Sequence, residues 1–207
     1  MAVWRFVDFS VKEAQRLADL ASIEVDLKTV EEICDRSLAE TQKSLDLGAT
    51  VLLDALCTAA IVRYGRCFTS GVRERLPDNL IGQLPQTDQD AHHFFKDLRD
   101  KWVAHSVNAF EDTHVVAYLT PEELGPKSVS SISALPDRVL CLSVNDMLRL
   151  KKLAAAVRET VAKLMEDENQ NVLIYARSLP PQQFYTQVDP PRKVTTDTEA
   201  GKPRRKW

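Results

Sequence analysis

The chain has 207 residues, of which 44% are hydrophobic and 28% charged, so it suits one domain with an appendage or at most two small domains. It contains only six glycines, which argues against an all-β protein built on tight turns. Its formal net charge of −3 argues against a general nucleic-acid binder, which needs basic surface to replace counterions, so any contact with RNA would need a local basic pocket.

Three helices are predicted in the first third of the chain. The first covers residues 11–21, with Ser10 as its N-cap and Glu13 completing a capping box. The second covers residues 27–45, where apolar residues recur at three- and four-residue spacing. The third covers residues 49–68 and is apolar on most sides, which predicts a central position in a helical bundle.

A fourth helix follows a loop or broken helix at residues 69–85, which holds two glycines and two prolines. Thr87 is its predicted N-cap, and Asp90 completes a capping box. The helix carries the segment AHHFFKDLRDKWVAHS, whose predicted apolar stripe ends at a histidine: Phe94, Phe95, Leu98, Trp102 and His105.

The last third predicts a small hairpin and a long helix. The stretches HVVAYLT and RVLCLS are β-like in composition, so a hairpin is expected within about 113–143. Ser143 and Asp146 then cap a helix over residues 144–175. The fold class is therefore mainly α, a helical bundle over residues 1–180 with a β-hairpin insertion. Residues 181–207 are expected to be an extended, disordered basic tail.

Cysteine and histidine spacing does not predict a metal or redox site. The four cysteines form no C-x-x-C pair, and three of them lie within apolar runs, which predicts reduced, buried thiols. His92 and His93 are neighbours on different helix faces, which suits chelation poorly, so ordinary core or surface histidines are favoured. The most hydrophobic segment is too short for a bilayer and contains Asp54, and no signal peptide is visible, so no membrane contact and a cytoplasmic location are expected.

The segment LRDKWVAHS places a permanent cation and a titratable group six positions apart, at Arg99 and His105. Histidine can take or give a proton near neutral pH, and arginine can hold two phosphate oxygens. On a regular helix the two residues differ by roughly 240° and lie about 9 Å apart along the axis. They would not share a face, so a site built from two such helices about a two-fold axis fits better. Asp100 could orient either group.

This segment resembles the signature of HEPN domains, in which an arginine, often followed by a polar residue, precedes a histidine after four to six intervening residues. The stretch ALCTAAIVRYGRCFTSGVRERL also resembles the abortive-infection branch of that superfamily. The resemblance covers residues 27–175 as an order of helices. It implies a HEPN-like bundle, usually a homodimer, in which two motifs form one composite endoribonuclease site without a metal or other cofactor. The implied catalytic residues are Arg99, His105 and Asp100.

Many members of that superfamily act in phage defence or as toxins of toxin–antitoxin pairs, so RNA, a second copy and an antitoxin or other defence protein are the implied partners. Arg66, Arg73 and Arg75 could supply the local basic pocket, together with Lys101 of the motif. Two alternatives stay open. The three arginines could simply pair with surface acids. His105 could cap a helix C-terminus, and the chain would then be a non-catalytic helical dimer that binds a protein or nucleotide partner.

Overall fold

The computed structural model describes residues 6–42, 47–103, 111–138 and 142–187. Within these ranges the protein is mainly α-helical with one antiparallel two-stranded hairpin, so the predicted mainly-α fold with a hairpin insertion is confirmed. The elements, in chain order, are α1 (Gln15–Thr41), α2 (Leu47–Arg66), α3 (Asp78–Ile81), α4 (Gln86–Leu98), β1 (Glu111–Leu119), β2 (Val129–Arg138), α5 (Val144–Ser178) and α6 (Gln182–Tyr185).

The core forms where α1 packs against α2 and α5, with α4 closing one side. Each helix contributes apolar residues at three- and four-residue spacing, which places them on one face of the helix. These side chains are almost completely buried and form one continuous cluster, which includes Ile23, Leu27, Val30, Ile61, Tyr64, Phe95, Leu150 and Val157.

Helix α1 replaces the two helices predicted over 11–21 and 27–45. No glycine or proline lies between positions 12 and 41, so nothing in the backbone breaks the helix. Ser10 does not cap it, because its hydroxyl donates to the Asp8 carboxylate at 2.5 Å. The chain instead enters through a 3₁₀ turn over Lys12–Ala14, with Val11 at the N-cap position and no side-chain cap.

Helix α2 lies close to its predicted bounds, but it is not central. Val51 is 71% exposed, and Leu52 and Val62 also reach the surface. The prediction from its all-round apolar sequence is therefore wrong: one face packs on the core and the other faces outward. The predicted capping box of α4 is also absent, because the helix begins at Gln86 with Pro85 at the N-cap position and no side-chain cap.

The hairpin has its first strand where HVVAYLT predicts it, but its second strand lies earlier than RVLCLS. Strand β2 is VSSISALPDR, and it pairs with β1 in a register that opposes Val115 to Ala134 and Ala117 to Ile132. Residues 139–141, the apolar centre of RVLCLS, lie outside the described residues. Gly125 lies in the connection between the strands with a φ of 146°, a conformation that favours glycine.

Helix α5 confirms its prediction, because the Ser143 hydroxyl accepts the backbone N–H of Asp146 at 3.1 Å and the helix continues to Ser178. The start of the predicted extended tail is in part helical: Phe184 of α6 lies 5.5 Å from the ring of Phe9. The rest of that tail, residues 188–207, lies outside the described residues.

The described cysteines Cys34, Cys57 and Cys67 are buried, as predicted, and Cys141 lies outside the described residues. Burial raises the pKa of the Cys34 and Cys67 thiols to about 12, which makes them poor nucleophiles at neutral pH. None of the described helices is long and apolar enough to cross a membrane.

Candidate functional site

Arg99 lies where α4 gives way to a wider helical turn. The α-helix ends at Leu98, and Arg99–Val103 form a π-helical turn. The N–H of Arg99 still donates to the carbonyls of Phe95 and Lys96, so the turn continues directly from the helix. Turns of this type are rare and occur frequently at functional sites.

The stem of Arg99 lies against the backbone of α2 at Gly65. A Cβ atom at position 65 would lie 2.8 Å from Cγ of Arg99 and 3.3 Å from its Cβ. Real Cβ atoms do not approach other heavy atoms so closely, and the atoms met here are near the base of the side chain. Glycine at position 65 therefore allows the arginine stem to rest on α2.

The guanidinium of Arg99 is held by its neighbour. Nη1 of Arg99 lies 2.6 Å from Oδ1 of Asp100, and the two side chains are 32% and 44% exposed. The structure thus brings together two of the three predicted catalytic residues. Asp100 fixes the direction of the fork, and it also occupies a donor that a phosphate would use.

Lys101 points to Asp97 rather than to the Arg99 pair. Its Nζ lies 3.2 Å from Oδ2 of Asp97, and both side chains are more than half exposed. Such exposed pairs contribute about 0–1 kcal/mol and exchange easily. Lys101 therefore remains accessible to an anion, although nothing orients it toward Arg99.

His105 lies outside the described residues, as does the rest of 104–110. The described part of the motif, Arg99–Val103, is a π-helical turn with i→i+5 hydrogen bonds, whereas the expected separation between Arg99 and His105 was calculated for a regular α-helix. The separation between the two residues stays a prediction.

Two of the predicted substrate-binding arginines surround a buried acid. Asp26 of α1 is 2% exposed, and its Oδ2 accepts from Nε of Arg66 and Nη1 of Arg73, each at 2.7 Å. Arg66 also contacts Oδ1, which accepts from Nη1 of Arg63 at 3.2 Å. We call Asp26, Arg63, Arg66 and Arg73 the arginine clasp, because it ties α1 to α2 and to the loop after α2.

The arginine clasp keeps Asp26 ionised. Burial alone raises the pKa of its carboxyl group, but hydrogen bonds and charge from Arg66 and Arg73 outweigh it, so the pKa lies below its ordinary value. The same contact raises the pKa of Arg66. Three guanidinium groups around one carboxylate leave an excess of positive charge, and about half of the Arg66 side chain is exposed.

The arginine clasp and Arg99 lie on different sides of α2. Arg99 rests on position 65, whereas the side chain of Arg66 reaches α1. Adjacent helix positions are about 100° apart around the axis, so the two groups leave the helix in different directions. Arg75 is separate from both groups, and its Nη2 lies 3.4 Å from Oδ2 of Asp78 at the surface. The structure does not gather the predicted site arginines into one pocket within the described residues.

Two structural groups were missed by the sequence interpretation. The first is Asp26 with Arg63; the signal was a carboxylate three positions after Ile23 and four before Val30, on the buried stripe of α1. The second is His92, whose Nδ1 lies 2.8 Å from the Tyr64 hydroxyl. Burial, then His93 and Lys96, lower the pKa of His92 to about 4. Its core position is one of the two outcomes predicted, and what the sequence does not indicate is the bond to Tyr64.

Within the four described ranges, no group of three or more His, Cys, Asp or Glu side chains is arranged to hold a metal ion. Comparison of the chain with models of protein families, with curated proteins and with solved structures found no match. The resemblance to HEPN domains therefore stays a prediction from the sequence.

Proposed function

We propose that the chain is a metal-independent endoribonuclease of the HEPN type that acts in the cytoplasm in phage defence or as a toxin. Its site would combine two copies of residues 99–105 at a homodimer interface. The observation that carries this proposal is the setting of Arg99: a cation in a π-helical turn, with its stem against Gly65 and its guanidinium partly exposed beside Asp100.

The chemistry follows from the two residue types. The ribose 2′-oxygen attacks phosphorus, the bond to the 5′-oxygen breaks, and a 2′,3′-cyclic phosphate remains. His105 removes the proton from the 2′-hydroxyl or gives one to the leaving oxygen, and in a two-fold site its two copies can take both roles. Arg99 stabilises the charge on the pentacovalent phosphate. Asp100 orients the guanidinium before RNA binds.

RNA would be held by Lys101 beside Arg99 and, farther along the chain's surface, by the exposed arginines. Lys101 is exposed and weakly paired. Arg66 and Arg75 are also partly exposed, and the arginine clasp, which includes Arg73, carries more positive than negative charge. In this proposal an antitoxin or other defence protein restrains the enzyme until it is needed.

The test is cleavage of a mixed RNA pool by the full chain, with and without EDTA. We expect cleavage that EDTA does not reduce, and products whose masses show 2′,3′-cyclic ends. Arg99→Ala and His105→Ala should each lower the rate by roughly 10²-fold or more, the usual range for such groups. Arg36→Ala and His93→Ala remove an exposed arginine and an exposed histidine elsewhere and should cleave like wild type.

Cleavage that persists in a folded His105→Ala protein would contradict the proposal, as would cleavage that EDTA abolishes. The second candidate is a non-catalytic helical dimer that binds a protein or nucleotide partner. The exposed apolar surface of the β1–β2 hairpin favours this candidate. It predicts that wild type cuts no RNA under any condition and that His105→Ala keeps its partner.

A further inference from the structure

The register of the hairpin separates an apolar face from a mixed one. Side chains of residues directly opposite each other lie on the same face, and successive residues alternate. One face, which we call the apolar face, therefore carries Val115, Ala117 and Leu119 of β1 with Val129, Ile132 and Ala134 of β2. The opposite face carries His114, Val116, Tyr118, Ser131, Ser133 and Leu135.

The apolar face is open to solvent. Val115 is 72% exposed, Leu119 70%, Ile132 68% and Val129 56%. Among the described residues, neither strand packs extensively against a helix, and each strand has the other as its main neighbour. A two-stranded hairpin is at best marginally stable alone in water, and a continuous exposed apolar patch marks an interaction surface.

The remaining segments of this sequence are poor covers for the apolar face. Residues 1–5, 43–46, 104–110 and 139–141 are short, whereas a nine-residue strand spans roughly 30 Å. Residues 188–207 are long enough, but nine of the twenty are charged and three are proline. Such a segment has too little apolar surface to bury six aliphatic side chains.

A second copy of the chain fits the face chemically. The apolar face carries no charged side chain along residues 113–119 of β1 and 129–134 of β2. Two identical faces can therefore meet there without like-charge repulsion. Sheets that pack face to face lie about 10 Å apart with their strands within about 30°. Each large aliphatic side chain offers on the order of 100 Å², so the pair would bury roughly 1,000 Å², near the lower limit for a specific interface.

We propose that the apolar face of the hairpin is a dimer interface, which packs against the same face of a second copy about a two-fold axis. The two hairpins then form a four-stranded sandwich. If the two-fold axis runs parallel to the strands, strand β1 of each copy begins at the same end of this sandwich. Strand β1 begins six residues after His105, a span of at most about 20 Å. The interface would hold two copies of residues 99–105 near one another. This role of the interface in assembling an active site rests on the proposed function.

The test compares two substitutions one residue apart in β2. Ile132→Asp places a charge on the apolar face, and Ser131→Asp places the same charge on the opposite face, where Ser131 is also exposed. In sedimentation equilibrium of the full chain from about 1 to 100 μM, we expect wild type and Ser131→Asp to dimerise equally. The dimer of Ile132→Asp should be at least about tenfold weaker, because each dimer would bury two charges.

Isotope-filtered NMR of mixed labelled and unlabelled chains then locates the contact. We expect contacts between chains among methyl groups of Val115, Leu119 and Ile132. If Ile132→Asp loses its helical circular dichroism, Ile132→Thr keeps a β-branched residue and replaces it in the comparison. A monomeric wild type at the highest concentration would overturn the inference, as would a dimer unaffected by either Ile132 variant.

Association needs no RNA, so the two proposals fail separately. A dimer through the hairpin that cuts no RNA would leave this interface standing and remove the enzyme proposal. Metal-independent cleavage by a wild-type dimer whose affinity neither Ile132 variant changes would do the reverse. A wild type that binds a different protein through this face but never itself would also overturn the inference.

Discussion

At the scale of single residues, the contact between Gly65 and Arg99 gives a prediction whose sign is unusual. Gly→Ala inside a helix ordinarily stabilises by about 0.5–1 kcal/mol. In Gly65→Ala, the new methyl would meet Cγ of Arg99 at 2.8 Å, so we expect a loss of about 1–3 kcal/mol instead, as in other overpacked sites. Urea unfolding measures the change, and cleavage of RNA should fall because Arg99 must move.

The matched control for Gly65→Ala is Gly71→Ala, because a Cβ atom at position 71 meets nothing within 4 Å. The control should leave both stability and cleavage close to wild type. A Gly65→Ala protein that gains stability would show that Arg99 does not rest on α2.

Asp26 is the residue on which the arginine clasp depends. Asp26→Asn leaves three guanidinium groups with no carboxylate, and of these only Arg73 is largely buried, at 15% exposed, so we expect a loss of about 1–3 kcal/mol. Because the folded pKa of Asp26 is depressed, its contribution is full above the unfolded pKa, about 3.9, and is lost as the pH falls through the folded value. Urea titrations of both proteins should therefore differ at pH 7 and converge in acid.

Asp35→Asn is the control for this substitution, since Asp35 lies on the same helix and pairs with Lys151 at the surface. We expect a change of about 0–1 kcal/mol at pH 7. If both variants lost the same free energy of unfolding, the contacts between Asp26 and the arginines would stabilise the protein no more than a surface ion pair does.

At the scale of the elements, His92 and Tyr64 join α4 to α2 by a buried hydrogen bond. The folded pKa of His92 is about 4, below its ordinary value of 6.5, because burial disfavours the charged ring. Its contribution to stability is therefore full above pH 6.5 and falls toward pH 4, as the unfolded chain takes up a proton that the folded chain refuses. This shift corresponds to about 3 kcal/mol.

The measurement is urea unfolding between pH 7 and pH 4 for wild type and His92→Gln. We expect the variant to be less stable at pH 7, because it perturbs the bond to Tyr64, and to lose less stability on acidification. His93→Gln removes the neighbouring ring whose charge also lowers the pKa of His92, so its slope should lie between those of wild type and His92→Gln. A His92→Gln slope equal to that of wild type would mean that folding does not shift the pKa of His92.

The elements also show what the sequence could predict. Helix α5 could be placed from its periodicity and the Ser143 cap, because both signals are local. The sequence pattern divides α1 into two helices near Asp26, because this buried carboxylate interrupts the apolar stripe. Its arginine partners lie some forty residues away, so no local signal explains it. Strand β2 was misplaced because its serines hide the β pattern, and RVLCLS is more apolar.

The motif segment shows the same limit. The letters LRDKWV predict a regular helix, because each residue tolerates one, and the widening at Arg99 depends on how this turn packs against α2. The pairing of Arg99 with Asp100 could be anticipated from their adjacency. The contact with Gly65 could not, because it joins residues 34 positions apart.

At the scale of the whole molecule, the proposed site needs two chains, and mixing inactive variants tests this directly. Arg99→Ala keeps His105, and His105→Ala keeps Arg99, so a dimer of one copy of each contains both functional groups. Random exchange makes about half of the dimers mixed. If arginine and histidine act across the interface, the mixture should cleave RNA at least tenfold faster than either variant alone, once exchange is complete.

The decisive control joins this experiment to the hairpin. Adding Ile132→Asp to both variants should remove the recovered cleavage, if the apolar face holds the two copies together. Adding Ser131→Asp should preserve it, because that side chain lies on the opposite face. Exchange itself is followed by native mass spectrometry, so absent recovery in a fully exchanged sample would place Arg99 and His105 in the same chain's site. In that case each motif would have to bring its own arginine and histidine together through the wide turn at Arg99–Val103, and the dimer would have no part in the chemistry.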